Sequence, residues 1–357
     1  MNKSFNKGEW SEFYAFLKII LDKKLYAADD NLNKIENIFH PVIKILRIEN
    51  KKVKIYDISS NDFISLFYND QLPPKKISYD IIKKSIKNIF DKIKSSKGSS
   101  FEVSEATSVM NALDCESIKS SSNNKADIIL AIHDYITLIE TEIGFSIKSN
   151  LGSNPTLLNA SQATNFIYQI YNDNKKSNFD SLAEDKKIKE FVKSIISSDC
   201  IIEYSKIQSE IFNKNLRKID SLMPVILSEF ILNFYKGNGV TIKDLSHSVA
   251  SSDIIQKLDF NYEDIKFKIK NLLLNIALGM VPNTLWDGFM QAGGGYIIVK
   301  ENGEIVCYHI YNIQQFSEYL FNNTKLETPS TTRHKFGSIY IEEGNYYIKL
   351  NCQIRFT

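Results

Sequence analysis

The chain has 357 residues, of which 43% are hydrophobic and 24% charged, and a formal net charge of +2. That composition excludes wholesale disorder, collagen and coiled coil. With charge so near neutral, any nucleic-acid surface must come from local clusters of lysine. The length suits one large domain or two lobes, since cores beyond roughly 250–300 residues tend to split.

The longest apolar stretch, Leu272 to Pro282, is broken by Asn275 and is far shorter than the roughly 20 residues of a membrane helix. The first residues, Met1 to Trp10, hold no apolar signal segment. The expectation is a soluble cytoplasmic protein with no membrane partner. Cys115, Cys200, Cys307 and Cys352 are scattered, without the clustered spacing of disulfide frameworks or zinc sites, and read as reduced packing residues. Arg47, Arg217, Arg333 and Arg355 are the only arginines among 44 basic residues, so few side chains can supply planar bidentate recognition.

In chain order, apolar residues at Trp10, Phe13, Phe16, Leu17, Ile20 and Leu21 predict an amphipathic helix over 8–22. Two β-rich runs follow, 42–48 and 52–58, split at Asn50-Lys51. His40, beside Pro41, reads as a turn residue. Residues 71–100 carry Lys75, Lys76, Lys83, Lys84, Lys87, Lys92, Lys94 and Lys97 around an apolar stripe of isoleucines. The segment reads as a helix with a basic outer face, either simply solvated or in contact with phosphate. A β-hairpin is expected over 124–150. From Ser161 to about Leu273 the pattern is mainly helical: 166–171, 188–196, 207–234 and 265–277. Beyond Gly293-Gly294-Gly295 the composition turns to Tyr, Ile and Val. An Asn302-Gly303 hairpin signal lies there, then a short helix at 313–321, and strands at 337–341 and 346–356. The fold expected is α/β in the mixed α+β sense, with a helical middle region. Residues 1–275 would form the core, and 276–357 a β-rich C-terminal lobe.

The chemistry concentrates in the hairpin. Side chains alternate along a strand, so Ile128, Leu130 and Ile132 make one apolar face, and Ile143, Phe145 and Ile147 another. Asp127 shares its face with Ile129, Ala131 and His133, whereas Gly144, Ser146 and Lys148 line one face of the second strand. A turn centred near Thr137-Leu138 places Asp127 opposite Lys148. A carboxylate and an ammonium so placed can hold Mg²⁺ and a water beside a phosphodiester, because Mg²⁺ needs only one or two carboxylates with substrate phosphate. The structural alternative is an ion pair on an exposed hairpin. A lone strand histidine such as His133 is more often structural than a general base.

An Asp on one strand followed by x-Lys on the next is the signature of the PD-(D/E)xK nucleases. The string Gly144-Phe-Ser-Ile-Lys-Ser-Asn-Leu-Gly-Ser-Asn-Pro-Thr-Leu-Leu-Asn-Ala-Ser161 resembles the HpaII family of type II restriction endonucleases. So do Asn6-Lys-Gly-Glu-Trp-Ser-Glu-Phe-Tyr14, Pro329-Ser-Thr-Thr-Arg-His-Lys-Phe-Gly337 and Lys349-Leu-Asn-Cys-Gln-Ile-Arg-Phe356. The resemblance implies a PD-(D/E)xK restriction-endonuclease-like core, Mg²⁺-dependent double-strand cleavage and CCGG as recognition sequence. By position, Asp127 is the metal-binding acid and Lys148 the catalytic lysine. Two departures stand out: Ala126 replaces the nominal Pro, and Ser146 stands where the second acid is usual. A hydroxyl cannot replace a carboxylate charge. The comparable helix of some relatives, expected near Ser161–Tyr168, offers only Gln162 and Asn165. Glu12, in a Gly8-x-x-x-Glu12 spacing similar to resolvase-like members, is the expected second metal ligand, with Gln162 as polar helper. Glu142 is the fallback, although about 20 Å from Lys148 along the strand. Glu9 reads as a partner of the helix dipole.

A cutter of G·C-rich sites must reach guanine O6 and N7, which an arginine fork matches. Arg333, flanked by Thr332, His334 and Lys335 in an expected loop, is the leading candidate for base or phosphate contact. Arg355 is either a DNA contact or a structural ion-pair residue. Asn150, just past the hairpin, joins the DNA-binding candidates. Gly293-Gly294-Gly295 follows no strand and lacks a P-loop ending, so it reads as a turn. The partner expected is double-stranded DNA, and its palindromic site suggests a homodimer. Two other readings compete: a structure-specific nuclease of the same fold, and a non-cleaving DNA-binding protein whose metal site has decayed.

Overall fold

The computed structural model describes residues 4–29, 31–49, 52–68, 73–118, 125–133, 140–152, 154–172, 187–308 and 312–357. The protein is a mixed α+β chain of two compact units. Unit 1 comprises Met1–Pro155, Ala277–Gly279 and Met290–Phe316; unit 2 comprises Thr156–Ile276, Met280–Phe289 and Ser317–Thr357. The strands Gly295–Val299 and Ile305–Tyr308 thus belong to unit 1, and the rest of the β-rich C-terminal segment to unit 2.

Unit 1 is built on a nine-stranded sheet. Its order is Lys24–Ala28, Ile305–Tyr308, Gly295–Val299, Glu140–Ser149, Ile128–His133, Lys34–Glu49, Lys52–Asp57, Phe63–Tyr68 and Lys75–Ser78. Strand Gly295–Val299 runs parallel to Glu140–Ser149, and its own hairpin partner Ile305–Tyr308 turns at Gly303, where φ is 86°. The Asn-Gly signal in the sequence therefore makes the expected hairpin. His40 is not in a turn. It lies within the long strand Lys34–Glu49 and pairs with Leu25, while Val42 pairs with Ile132. The strand changes partner at Pro41, a residue with no N–H to give to a ladder, so the proline marks a switch in pairing and not an end. Lys75 and Lys76 also lie on a strand, and the basic helix begins only at Asp80.

Helix Lys7–Asp22 closes the core on unit 1. It starts at a capping box in which Asn6 accepts from Glu9 N and the Glu9 carboxylate accepts from Asn6 N, both at 2.9 Å. Two otherwise unpaired N–H groups are satisfied there. Trp10, Phe13, Phe16, Leu17 and Ile20 are buried together with Ile128, Leu130, Ile132, Phe145 and Ile147. The apolar faces expected of helix and hairpin are thus one core.

In unit 2, strand Asn165–Tyr171 is central, flanked by Ile201–Ile207 and Asn345–Asn351, with Ile339–Glu342 at the edge. Residues 166–171 therefore do not form a helix. The run Phe-Ile-Tyr-Gln-Ile-Tyr is β-branched and aromatic, and a short apolar run of that kind has no period that separates strand from helix. The remaining middle segments are helical, at Ile188–Ser197, Glu210–Ile219, Met223–Lys236, Ile242–Ala250 and Tyr262–Leu278. Glu343 and Gly344 take positive φ (50° and 79°) in the tight turn before Asn345. Strand Ile354–Phe356 leaves that sheet and pairs with Thr156–Leu158 and Thr324–Leu326. All four cysteines are buried, and none forms a disulfide among the described residues.

Candidate active site

The site is carried by the antiparallel pair Ile128–His133 and Glu140–Ser149. Register runs from Ile128 opposite Phe145 to His133 opposite Glu140. Asp127, at the bend just before the strand, donates its N–H at 2.8 Å to the carbonyl of Phe145, the residue opposite Ile128. The register of the pair is displaced by two residues from the one that would set Asp127 opposite Lys148. The expected turn at Thr137-Leu138 lies outside the described residues. Parity survives the shift, because a displacement of two leaves every side chain on its own face. Lys148 is the next same-face residue beyond Ser146.

The half-buried Asp127 carboxylate is held from two sides. Ser146 Oγ donates to its Oδ2 at 3.0 Å, and Ile147 N–H donates to the same oxygen at 2.6 Å. Ser146 is itself buried, at 2% exposure, and sits beside Tyr296 of the parallel strand. The Tyr296 ring centre is 5.2 Å from Lys148 Nζ, close enough for a cation–π contact. Gly144 is required by this packing. A Cβ there would stand 2.2 Å from Gln291 O and 2.8 Å from Ala126 Cβ.

Glu12, from helix Lys7–Asp22, joins this pair. Its carboxyl is pushed up to about 8, first by desolvation and then by the Asp127 carboxylate, with the Lys148 ammonium opposing the rise. Among the described residues Glu12 makes no hydrogen bond or ion pair. The helix that carries it packs against strand Glu140–Ser149. Lys125 is a fourth member, one that sequence reasoning missed. Its group is held down at about 8, first by burial and then by Lys148, with Asp127 acting the other way. It lies just before the strand, where the backbone bends at Lys125 and Asp127, so strand alternation in the sequence gave no signal for it.

Two oxygen ligands, Asp127 and Glu12, are what the site offers a divalent cation. No group of three or more His, Cys, Asp or Glu side chains suited to a metal exists among the described residues. Mg²⁺ fits such a pair, since it keeps several waters and takes the rest of its shell from substrate phosphate. The Glu12 carboxyl, half-buried and without a hydrogen-bond donor among the described residues, is a group that a cation would satisfy.

The other candidates are placed as follows. Glu142 is exposed and opposite Ala131, and His133 is opposite Glu140. Asn150 N–H donates to Val299 O at 3.0 Å, which continues the parallel pairing. Gln162 is exposed on a 3-10 turn, Gln162–Thr164, of unit 2, and Asn165 is buried at the start of the following strand. The helix expected near Ser161–Tyr168 does not exist. Arg333 is not in a loop but in a short helix, Thr331–His334, whose cap is Ser330. The Arg333 and Thr332 side chains are exposed, and Arg333 makes no ion pair among the described residues. Thr331, Thr332 and Lys335 line a cleft of about 460 Å³ together with Ser338, Tyr340 and Lys349. Burial lowers the His334 imidazole, and so does Arg333. Arg355 pairs with Glu327, at 3.3 Å from Nε and 3.4 Å from Nη1, the structural alternative foreseen for it.

Comparison with known proteins gives the class of the chain. The model of the HpaII restriction endonuclease family matches residues 6–356. The chain belongs to that family, and it is a site-specific deoxyribonuclease. It is 40% identical over 358 residues to the type II restriction enzyme HpaII of Haemophilus parainfluenzae, covering 99% of this chain and 98% of that one. No solved structure matches it.

Proposed function

We propose that the chain is a Mg²⁺-dependent type II restriction endonuclease that cuts both strands of duplex DNA at CCGG, acting as a homodimer on the palindrome from a PD-(D/E)xK-like core. The carrying observation is the electrostatic grouping of Glu12 with Asp127 and Lys148. It supplies the second acid that Ser146 does not.

Asp127 and Glu12 would hold the metal, which when bound supplies Lewis acidity and a more acidic water. Ser146 Oγ and Ile147 N–H fix Asp127 Oδ2 and so orient the carboxylate for the cation. The Lys148 ammonium, set against the Tyr296 ring, makes no ion pair among the described residues. It neutralises charge building on the phosphate and orients the attacking water. Arg333, Thr332, His334 and Lys335 contact DNA, with the arginine reading guanine and the hydroxyl and ammonium groups taking phosphates. Asn150 and Arg355 are lesser contacts: the first is beside the catalytic strand, and the second is already committed to Glu327. Two sites related by a dyad match a palindrome. A cytoplasmic location follows from a DNA substrate, and no helix among the described residues is long and apolar enough to cross a membrane.

The test is digestion of plasmid DNA with Mg²⁺ and with a chelator, followed by sequencing of fragment ends. Discrete ends within CCGG, formed only with the metal, are expected. Random ends, or intact plasmid under all conditions, would overturn the proposal.

A further inference from the structure

We propose that a cleft of unit 2, between the short helix Thr331–His334 and the strands Ile339–Glu342 and Asn345–Asn351, binds a backbone phosphate of duplex DNA, and that Lys349 is the cation its sheet supplies. The inference rests on the function proposed above and adds Lys349 to its DNA contacts.

Lys349 is placed by an unbroken register. Residues Asn165 to Ile170 pair one by one with Asn351 to Tyr346, which sets Lys349 opposite Ile167. The residues on either side of Ile167 face the helices of this unit: the Phe166 ring meets Phe212 edge-on, and Tyr168 Oη donates to Ser228 O at 2.8 Å. Paired residues share a face and successive ones alternate, so Lys349 lies on the sheet face turned away from those helices. Its Nζ is 5.2 Å from the centre of the Tyr340 ring, which is in turn stacked on its cross-strand partner Tyr347.

The cleft, of about 460 Å³, presents the ammonium groups of Lys335 and Lys349 and the hydroxyls of Thr331, Thr332, Ser338 and Tyr340. No carboxylate or carboxamide side chain lines it. Among the described residues, neither ammonium and none of the four hydroxyls makes a side-chain hydrogen bond or ion pair. An ammonium only donates, and a hydroxyl can donate. A base-pair edge mixes donors with acceptors, whereas a phosphodiester offers acceptors alone and carries a negative charge. The lining therefore matches phosphate. An adjoining cleft of about 560 Å³ adds Lys187 and Lys189, but Glu190 lines it too, so the acid-free side is the one that suits an anion. The chain is a deoxyribonuclease, and the phosphate its substrate brings is that of the DNA backbone.

The experiment is binding of the full chain to a duplex carrying CCGG and to a scrambled duplex, with Ca²⁺ replacing Mg²⁺, over a series of KCl concentrations. Lys349→Met keeps an unbranched stem against Tyr340 and removes the charge. It is expected to make the plot of log affinity against log salt shallower by about 0.9, the value of one phosphate contact, and to weaken both duplexes alike. Lys349→Arg should keep the wild-type slope. A merely structural lysine, or one that takes only free inorganic phosphate, would leave the slope of folded Lys349→Met unchanged, and that result overturns the proposal. A loss confined to the CCGG duplex overturns it as well, because it would make Lys349 a base contact. Lys349→Gln serves the same comparison if thermal melting shows that the methionine variant does not fold. Failure of the underlying function is separate: there the wild type neither cuts at CCGG nor prefers that duplex, while the change of slope at Lys349 is still read on both.

Discussion

Ser146 Oγ donates to Asp127 Oδ2 at 3.0 Å, from the position where a second carboxylate is usual in nucleases of this signature. The hydroxyl orients the first acid and does not replace the second. Ser146→Ala should slow cleavage about 10-fold, the typical cost of losing a hydrogen bond that orients a metal ligand. Single-turnover rates at saturating Mg²⁺ check this. A loss as large as that of Asp127→Ala would mean the hydroxyl takes part in the chemistry directly.

Asp127→Ala and Lys148→Ala should each reduce cleavage by more than about 1,000-fold while duplex binding is largely kept. Gel-shift titration beside the cleavage assay separates the two effects. Parallel losses of binding and cutting would instead indicate unfolding.

Glu12 gives the stability a pH dependence whose sign can be worked out. Its folded-state value, about 8, lies above the ordinary 4.5, so the native state holds a proton that the unfolded chain has lost. Stability from this group is complete below pH about 4.5 and is lost as pH rises through 8. Glu12→Gln should therefore be more stable than wild type above neutrality, by on the order of 2–4 kcal/mol at most, and no different in acid. Urea denaturation without metal, across that range, measures the difference. A gain that is constant with pH would contradict the burial of an ionisable group there.

Gly144→Ala should destabilise the protein by about 1–3 kcal/mol, since an added methyl group meets backbone and not a flexible side chain. Thermal melting reads it. No change in melting temperature would show that strand Glu140–Ser149 is not held against Gln291.

The two C-terminal arginines should part company. Arg333→Ala should weaken discrimination of the cut site by about 1–3 kcal/mol. Arg355→Ala should lose a part-buried ion pair, about 1 kcal/mol of stability, and leave discrimination of the cut site nearly unchanged. Competition binding between the cut site and single-base variants distinguishes them.

Much of this was legible because periodicity survives error. The hairpin register expected from sequence was displaced by two, yet Ser146 and Lys148 kept their shared face, and the apolar faces became the core. The first helix was legible from its apolar spacing, and Glu9 from its place in the first helical turn. Pairings distant in sequence were not legible. Nothing in residues 124–150 reveals that Tyr296 stands beside Ser146, or that Gln291 O excludes a side chain at 144. Residues 166–171 were misread because a short, doubly buried strand has no amphipathic period. Pro41 and His40 were misread because proline usually ends pairing, whereas here it sits where one strand exchanges its neighbour.

The central claim is that an acid from the first helix completes the site built on the hairpin. Single-turnover cleavage of the cut site by Glu12→Gln at saturating Mg²⁺ tests it most directly. The account predicts a rate at least about 100-fold below wild type, with duplex binding retained and the fold intact. A Glu12→Gln rate within about threefold of wild type would contradict it, because the neutral amide cannot supply the missing negative charge.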